Sequence, residues 1–194
     1  MSKVVVFTHL TLDGVMQAPG RPDEDRRGGF EHGGWEPPYG DSVMASVAAE
    51  GMARGGALLL GRRTYEDFHS FWPNQPEDNP FTAVLTTTQK YVASRTLAEP
   101  LPWRNSTLLK GDAAEAVARL KEQPGKDLVV LGSGVLVQSL MRRNLVDEYV
   151  LLIHPLVLGS GRRLFAEGSP TTALRLVDTK TTTTGVVIAT YQPA

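Results

Sequence analysis

The sequence of 194 residues contains no cysteine. Disulfide bonds, zinc sites with thiolate ligands and cysteine nucleophiles are therefore excluded. Histidine is also scarce, because the chain has four, and their scattered positions lack the spacing of metal ligands, so no metal site is predicted. An excess of positive charge is missing as well, since 20 Lys and Arg residues stand against 21 Asp and Glu residues. This balance gives no support for binding to nucleic acid.

Two further features are missing at the level of segments. The N-terminus begins Met-Ser-Lys and enters a strand-like run directly, without a charged and then apolar leader. No apolar run approaches the roughly 20 residues that span a bilayer. We therefore expect a soluble, cytoplasmic protein without a membrane partner, and the length predicts a single domain over residues 1–194.

The chain does contain alternating strand-like and helix-like segments, followed by two Thr-rich strands with antiparallel character. This order predicts an α/β fold with a mixed, mostly parallel central sheet flanked by helices and a C-terminal antiparallel hairpin. Strands are predicted at 4–10, 57–60, 81–86, 106–109, 128–131, 147–153, 174–181 and 185–191, and helices at 41–52, 64–71, 112–123 and 135–143.

A long segment over residues 11–40 is dominated by glycine, proline and charge. Long irregular loops inside compact domains are usually functional or disordered. Trp35 lies in this segment and is a candidate for the floor of a pocket that binds a substrate ring, whereas the alternative is packing at the rim of the core.

The first candidate site is the junction between the apolar run 57–60 and Gly61-Arg62-Arg63-Thr64. Glycine stands where a strand meets a helix start, and backbone N–H groups are unpaired at such a start. Two guanidinium groups can grip a phosphate, so this pair suits a 2′-phosphate. The alternative is a solvated pair of charges, but cations oppose the dipole at a helix N-terminus, which favours the functional interpretation.

The second candidate site is Gly132-Ser133-Gly134, which follows the strand-like run 128–131. Glycine here lets a pyrophosphate approach the backbone at the start of the next helix. Val137 replaces the third glycine of the standard dinucleotide fingerprint, and a tight turn without a ligand is the alternative. Together the two junctions indicate a site for a phosphorylated nucleotide cofactor.

Several motifs in this order resemble the dihydrofolate-reductase-like superfamily, over nearly the whole chain. The closer likeness is to the reductase domain of bacterial riboflavin biosynthesis and its uncharacterised single-domain relatives. The motifs are Thr11-Leu12-Asp13-Gly14, Leu60-Gly61-Arg62-Arg63-Thr64-Tyr65-Glu66, Lys110-Gly111-Asp112, Val130-Leu131-Gly132-Ser133-Gly134, Leu145-Val146-Asp147-Glu148-Tyr149 and Pro155-Leu156-Val157-Leu158-Gly159-Ser160-Gly161.

The resemblance implies a dihydrofolate-reductase-like fold that binds NADPH. By matching position, the residues at the 2′-phosphate and pyrophosphate are Gly61, Arg62, Arg63, Thr64, Gly132, Ser133, Gly134 and Val135. Those that follow a strand end on the adenosine side are Thr86, Thr87 and Thr88, and those that edge the nicotinamide are Thr8, Leu12, Gly14 and Val15, with Asp13 holding the turn.

The substrate side departs from folate reductases. Their acidic residue on the first helix corresponds to Ala45 here, and Asp41, one turn earlier, is predicted to cap the helix rather than to donate a proton. Arg162 and Arg163, or Arg26 and Arg27, are candidates to bind an acidic group of a small-molecule substrate.

The resemblance implies an NADPH-dependent reductase of a small pyrimidine- or pterin-like substrate, similar to 5-amino-6-(5-phosphoribosylamino)uracil reductase. The alternative is a nucleotide-binding module of the same fold without turnover. Related domains tend to pair, and long strands at a sheet margin need covering, so a homodimer built around the C-terminal half is expected.

Overall fold

The computed structural model of the protein describes residues 2–76 and 78–194, and in this part of the chain eight strands form one sheet in the order β4-β3-β2-β5-β1-β6-β8-β7. The strands are β1 (Val4–Thr11), β2 (Gly56–Gly61), β3 (Lys90–Ala93), β4 (Ser106–Leu109), β5 (Asp127–Leu131), β6 (Glu148–His154), β7 (Leu174–Thr181) and β8 (Val187–Pro193). The α-helices are α1 (Ser42–Arg54), α2 (Arg62–Phe71), α3 (Pro80–Thr87), α4 (Ala113–Glu122) and α5 (Gly134–Met141).

The sheet is mixed, and its larger part is parallel. Strands β4, β3, β2, β5, β1 and β6 run parallel, whereas β8 pairs antiparallel with β6 and β7 pairs antiparallel with β8. In the centre, Leu59, Val130 and Val6 lie side by side on three strands, and each is fully buried. The predicted fold class, a mostly parallel sheet with a C-terminal hairpin, is confirmed.

Helices cover both faces of the sheet, as a sheet with apolar residues on both faces requires. Helices α4 and α5 pack on the face that carries Val4 and Val6 of β1. Helices α1, α2 and α3 supply Met44, Tyr65 and Leu85 to the clusters on the opposite face. Within the described residues, none of the helices has the length and apolar character needed to cross a bilayer.

The prediction of a strand at 81–86 is wrong, because these residues form helix α3. The apolar, β-branched run suggests a strand, but Asn79 and Pro80 precede it and set a helix start. The Asn79 side chain accepts a hydrogen bond from the Phe81 N–H at 3.0 Å, and proline takes the first helical position, where its missing N–H costs nothing. The strand of this region is β3, four residues long and absent from the sequence prediction.

A buried lysine fixes the junction between α3 and β3. The Lys90 ammonium is fully buried and donates hydrogen bonds to the carbonyls of Thr86, Thr88 and Arg104 at 3.2, 2.7 and 3.2 Å. It also lies 4.3 Å from the centre of the Trp103 ring. Burial lowers the pKa of Lys90 to about 8. The cation therefore serves as a cap for the last carbonyls of α3.

Candidate functional site

A large cleft lies at the point of the sheet where the helices that follow two neighbouring strands pack on opposite faces. Strands β2 and β5 are neighbours, but the helix that follows β2 packs on one face and the helix that follows β5 packs on the other. In open α/β sheets this arrangement leaves a crevice at the carboxyl ends of the strands, where ligands bind. A cleft of about 1600 Å³ occupies this place, and both candidate junctions line it.

Hydrogen bonds lock the two glycine junctions together at the cleft. The Ser133 hydroxyl accepts from the Gly61 N–H at 2.9 Å and donates to Thr64 Oγ1 at 3.0 Å. The Ser133 N–H also donates to Thr64 Oγ1, at 3.2 Å. Gly132 and Ser133 both have φ of 55°, a left-handed turn that aims the chain into α5. The structure thus brings together residues that lie about 70 positions apart in the sequence.

The start of α5 presents backbone amides to the cleft. Its first intrahelical hydrogen bond runs from the Val137 N–H to the Ser133 carbonyl at 3.0 Å. The amides of Gly134, Val135 and Leu136 consequently have no acceptor inside the helix. All three residues line the cleft, and Val135 is 71% exposed. The geometry suits a phosphate group, which gains from both the amides and the helix dipole.

Gly134 has a packing role that the sequence interpretation missed. A Cβ atom at Gly134 would lie 2.6 Å from the Sδ atom of Met16, a side chain that lines the cleft and is 9% exposed. Glycine is therefore favoured at position 134 because the Met16 side chain packs against it. The backbone amides of α5 remain available to a phosphate, and their availability does not depend on the absence of a side chain at Gly134.

Guanidinium groups surround the cleft. Arg62 forms an ion pair with Glu66 at 3.1 Å, one turn along α2, while Arg63 is exposed and forms no ion pair with another described residue. Both lie at the first turn of α2, next to the bridge formed by Ser133 and Thr64. The arginines that line the cleft are Arg26, Arg27, Arg62, Arg63, Arg95, Arg142, Arg162 and Arg163.

The predicted loop over residues 11–40 is an ordered strap along the cleft. Arg21 pairs with Asp67 of α2 at 2.5 Å and lies 4.1 Å from the centre of the Phe71 ring. The Gln17 amide donates to the carbonyls of Asp25 and Arg27, each at 3.0 Å. The contacts of Arg21 hold the strap against α2, and the hydrogen bonds of Gln17 join two parts of the strap to each other.

Of the two interpretations of Trp35, the structure favours packing in a core over the floor of a ring-binding pocket. Trp35 is 6% exposed and packs with Val15, Ala18 and Phe30 in a small core of the strap. Its indole N–H donates to the Gln17 carbonyl at 2.9 Å, and it does not line the cleft. The strap needs its own apolar core, and the tryptophan supplies the largest part of it.

The turn that follows β1 is placed differently from the expectation. Thr8 lines the cleft, but Leu12, Gly14 and Val15 do not, and Met16, Gln17 and Ala18 take their place. Asp13 holds this turn, the role that the resemblance implies for it, but its hydrogen bonds keep the turn away from the cleft. Its carboxylate accepts from the N–H groups of Leu158 and Gly159 at 3.2 and 2.9 Å. The Thr11 hydroxyl and these amides lower the pKa of Asp13 to about 2.

The three threonines predicted on the adenosine side lie outside the cleft. Thr86, Thr87 and Thr88 end helix α3 instead of following a strand, and two of their carbonyls bind Lys90. The true strand end is that of β3, and Ser94 and Arg95, which follow it, line the cleft.

The residues considered for contact with the substrate lie in different places. Arg162 and Arg163 both line the cleft. Asp13 holds Arg163, because the Arg163 Nε atom donates to the Asp13 carbonyl at 2.8 Å and the guanidinium forms an ion pair with the Asp13 carboxylate at 3.4 Å. Asp41 caps α1, accepting from the Met44 N–H at 2.9 Å, and does not line the cleft. Ala45 is exposed, and it too lies outside the cleft.

Three carboxyl groups in the cleft were not found from the sequence. Burial raises the pKa of Glu24, Glu36 and Asp67. Glu24 accepts hydrogen bonds from the N–H groups of Gly20 and Arg21, and Asp67 pairs with Arg21. The Glu36 carboxyl has no hydrogen-bond or ion-pair partner among the described residues, and the nearby Glu24 raises its pKa further. No local sequence signal marks these groups, because the strap brings them together.

No group of three His, Asp or Glu side chains in the described ranges is arranged to hold a metal ion. Fold and cleft together define the class: an open α/β protein with a crevice at the carboxyl ends of its strands. The chain belongs to the RibD C-terminal domain family, which matches residues 2–188.

Relatives and solved structures agree with this placement. The chain is 31% identical to the uncharacterised protein YyaP of Bacillus subtilis (strain 168) over 137 residues, 69% of this chain and 72% of YyaP. It is 31% identical to the uncharacterised YwjB of the same organism over 125 residues, 63% of this chain and 66% of YwjB.

Two crystal structures share the fold. A protein of Shewanella sp. PV-4, provisionally assigned to riboflavin biosynthesis, superposes with a TM-score of 0.70 and 23% identity over 99% of both chains. A pyrimidine reductase-like protein of Corynebacterium diphtheriae gives a TM-score of 0.67 and 13% identity, over 100% of this chain and 92% of the other. The expected family is confirmed, and it is one associated with reductases.

Proposed function

We propose that the protein is an NADPH-dependent reductase of a small pyrimidine- or pterin-like substrate, similar to 5-amino-6-(5-phosphoribosylamino)uracil reductase. The observation that carries the proposal is the meeting of two helix starts, those of α2 and α5, at one crevice lined by arginines. Two helix dipoles, open amides and guanidinium groups favour a ligand with several phosphate charges. NADPH has three phosphate groups, and this set of donors fits them.

Each part of the cleft has a role in holding the cofactor. The amides of Gly134, Val135 and Leu136 would bind the pyrophosphate, and Arg62 and Arg63 would bind the 2′-phosphate. Arg95, at the end of β3, adds a further cation on the same side of the sheet. The bridge between Ser133 and Thr64 keeps these elements at a fixed spacing, which spares the entropy of ordering them on binding.

The chemistry requires a proton as well as a hydride. When bound, NADPH would supply a hydride to an unsaturated ring carbon or a carbonyl carbon of the substrate, and the neighbouring nitrogen or oxygen atom would have to gain a proton. Glu36 is the proton donor in this proposal, because its carboxyl lines the cleft without a partner among the described residues and has a raised pKa. The raised pKa widens the pH range over which the carboxyl keeps its proton, and the protonated form is the one that a general acid uses.

The second candidate function is a nucleotide-binding module without turnover. It is favoured by Ala45, which leaves the first helix without the acid of folate reductases, and by the position of Asp41 as a cap outside the cleft. The two functions differ in one observable, since only a reductase consumes NADPH when a substrate is added.

We expect NADPH to be oxidised with pyrimidine-type substrates and not with dihydrofolate. The reason is that α1 presents no carboxyl group to the cleft, whereas reduction of a pterin ring by a folate reductase uses an acid on that helix. The measurement is loss of NADPH absorbance with a panel of aminopyrimidines, phosphorylated and not, beside dihydrofolate. Robust turnover of dihydrofolate that disappears in Asp41→Asn would contradict the assignment, and a panel without any turnover would favour the binding module.

We also propose a homodimer through the C-terminal hairpin. Strand β7 forms one margin of the sheet, and Leu176 and Val177 on it are 51% and 46% exposed, with Val187 of β8 at 38%. An uncovered edge with apolar side chains invites pairing with a second copy. The β-bulge between Leu176 and Asp178 is the feature that would instead keep a lone edge from pairing.

Light scattering distinguishes the homodimer from a monomer. We expect a mass of twice the 21.1 kDa of one chain, and a return to the mass of one chain in Val177→Lys. Val157→Lys, at an exposed position outside the hairpin, is the matched control and should leave the mass unchanged. A wild-type mass near that of one chain at micromolar concentration contradicts the dimer.

A further inference from the structure

Two histidine rings meet at the edge of the cleft on the face covered by α1. His9 lies on β1 and His154 ends the adjacent β6, and His9 Nδ1 is 3.0 Å from His154 Nε2. His154 is fully buried, whereas His9 lines the cleft. The rings of Trp35 and Tyr39 pack against His154 at steep angles, with centroid distances of 5.1 and 5.4 Å. Aromatic rings and His9 thus hold the buried His154 ring on several sides, whereas the His9 ring reaches the cleft.

Both rings are neutral at physiological pH. Burial lowers the pKa of His9 to about 3, with the nearby His154 as a second cause. Burial also lowers the pKa of His154, to about 4. A neutral imidazole has one N–H donor and one bare nitrogen, so the bond between the rings requires one nitrogen to donate and the other to accept.

The environment of His154 selects the direction of this bond. Its Nδ1 atom is buried and has no hydrogen-bond partner among the described residues. A buried N–H without an acceptor is rarer in proteins than an acceptor that lacks a donor, which places the hydrogen of His154 on Nε2. Nε2 then donates to His9 Nδ1, and the hydrogen of His9 must sit on its own Nε2. His9 Nε2 has no hydrogen-bond partner among the described residues, and the protein does not fully bury it.

We propose that His9 Nε2–H is a neutral hydrogen-bond donor for a carbonyl oxygen on the substrate ring, and that His154 is a positioning residue that fixes the tautomer of His9. The inference rests on the proposed function for the identity of the ligand, a pyrimidinone-type ring. It adds a contact on the substrate side that is distinct from the proton donor Glu36. A neutral imidazole can polarise a carbonyl without giving up its proton.

The tautomer is measured first, without any ligand. In protein labelled with ¹⁵N at histidine, we expect His9 and His154 each to show a protonated Nε2 and a bare Nδ1. His154→Gln keeps an N–H near the position of Nε2 and should preserve the His9 pattern, whereas His154→Leu, checked for folding by circular dichroism, should give a mixture of His9 tautomers. A His9 ring protonated at Nδ1 in the wild-type protein overturns the proposal.

The contact with the ring is measured next, on protein mixed with excess NADPH. Millimolar 6-aminouracil, which has ring carbonyls, should shift the His9 Nε2 resonance and leave those of His32 and His69, which lie outside the cleft, in place. The side chain of His9→Gln is long enough to place an amide N–H near the position of Nε2, whereas the shorter side chain of His9→Asn reaches only the position of Nδ1. Affinity for 6-aminouracil should therefore fall about 10-fold in His9→Asn only, the size expected for one hydrogen bond. An unshifted His9 resonance, or equal affinities of the two variants, contradicts the contact.

Separate results would overturn the proposed function and the role of His9. NADPH that does not bind the wild-type protein counts against the proposed function, while the tautomer of His9 is determined in the absence of NADPH. If NADPH binds and the tautomer is reversed, the inference fails and the proposed function stands.

Discussion

Glu36→Gln is expected to lower kcat by at least about 100-fold, the lower end of what a general acid contributes. The substitution keeps the size of the side chain and removes its ability to donate a proton from a carboxyl group. Affinity for NADPH should not change, because the proposal assigns Glu36 to the substrate and the phosphates to α2 and α5. The strap fixes the backbone of Glu36, whose N–H donates to the Pro19 carbonyl at 2.9 Å. Steady-state kinetics with the substrate found in the panel, together with NADPH binding, provide the test.

The pH dependence of this step has a fixed sign. Burial and the neighbouring Glu24 raise the pKa of Glu36, so its protonated form persists to higher pH than in an ordinary glutamate. The donor is present below that pKa, and kcat of the wild-type enzyme should fall as pH rises through it. In Glu36→Gln the same limb of the profile should be flat.

Glu31→Gln is the matched control, because Glu31 belongs to the same strap, is exposed and does not line the cleft. It should leave kcat at the wild-type value. Wild-type kcat in Glu36→Gln, or an unchanged alkaline limb, would remove Glu36 from the mechanism and turn attention to Glu24 and Asp67.

The Arg62→Ala, Arg63→Ala double variant should bind NADPH about 100-fold more weakly, which corresponds to about 2.7 kcal/mol for the loss of charge-assisted hydrogen bonds. Binding of NADH should stay within about 3-fold of wild type, since NADH lacks the 2′-phosphate. Fluorescence titration of both cofactors measures the two effects side by side.

The double variant is not expected to unfold. Arg62 loses only a surface ion pair with Glu66, of a kind worth at most about 1 kcal/mol, and Arg63 is exposed. Arg54→Ala, at the end of α1 and away from the cleft, is the control for a change in total charge. Equal weakening of NADPH and NADH, or a persistent preference for NADPH, would place the 2′-phosphate elsewhere, with Arg95 as the next residue to replace.

The sequence predicts the parts of this fold that rest on local patterns. Apolar runs that end in glycine mark β2 and β5 with the helices that follow, and both junctions line one cleft because parallel strands bring their carboxyl ends to one edge. The alternation of the last two segments marks the hairpin. Where a local pattern was ambiguous, the prediction failed, as at α3, since the cap at Asn79 outweighs the β-branched run that follows.

Contacts between distant segments account for the rest of the misses. The strap is held by the pair of Arg21 with Asp67 and by the buried indole of Trp35, and neither has a signal in its own neighbourhood. Glu36, which lies on the strap, therefore enters the cleft without any sequence motif. In contrast, the turn at Asp13 was placed in the cofactor site by resemblance alone, and hydrogen bonds to 158–159 hold it away from the cleft.

In the proposed function, the backbone amides at the start of α5 hold the phosphates of NADPH, and the variant Val135→Pro tests this role. Proline removes one N–H that has no acceptor inside the helix, and the first turn tolerates it. The Val135 side chain is 71% exposed, so little packing is lost, and Val135→Ala keeps the N–H as a matched control.

Calorimetric titration with NADPH is the measurement. We predict micromolar or tighter binding to the wild-type protein and to Val135→Ala, and a loss of at least about 10-fold in Val135→Pro, the size expected for one charge-assisted hydrogen bond. Equal affinities of the proline and alanine variants, or no binding to the wild-type protein, would show that the start of α5 does not hold the phosphates of NADPH.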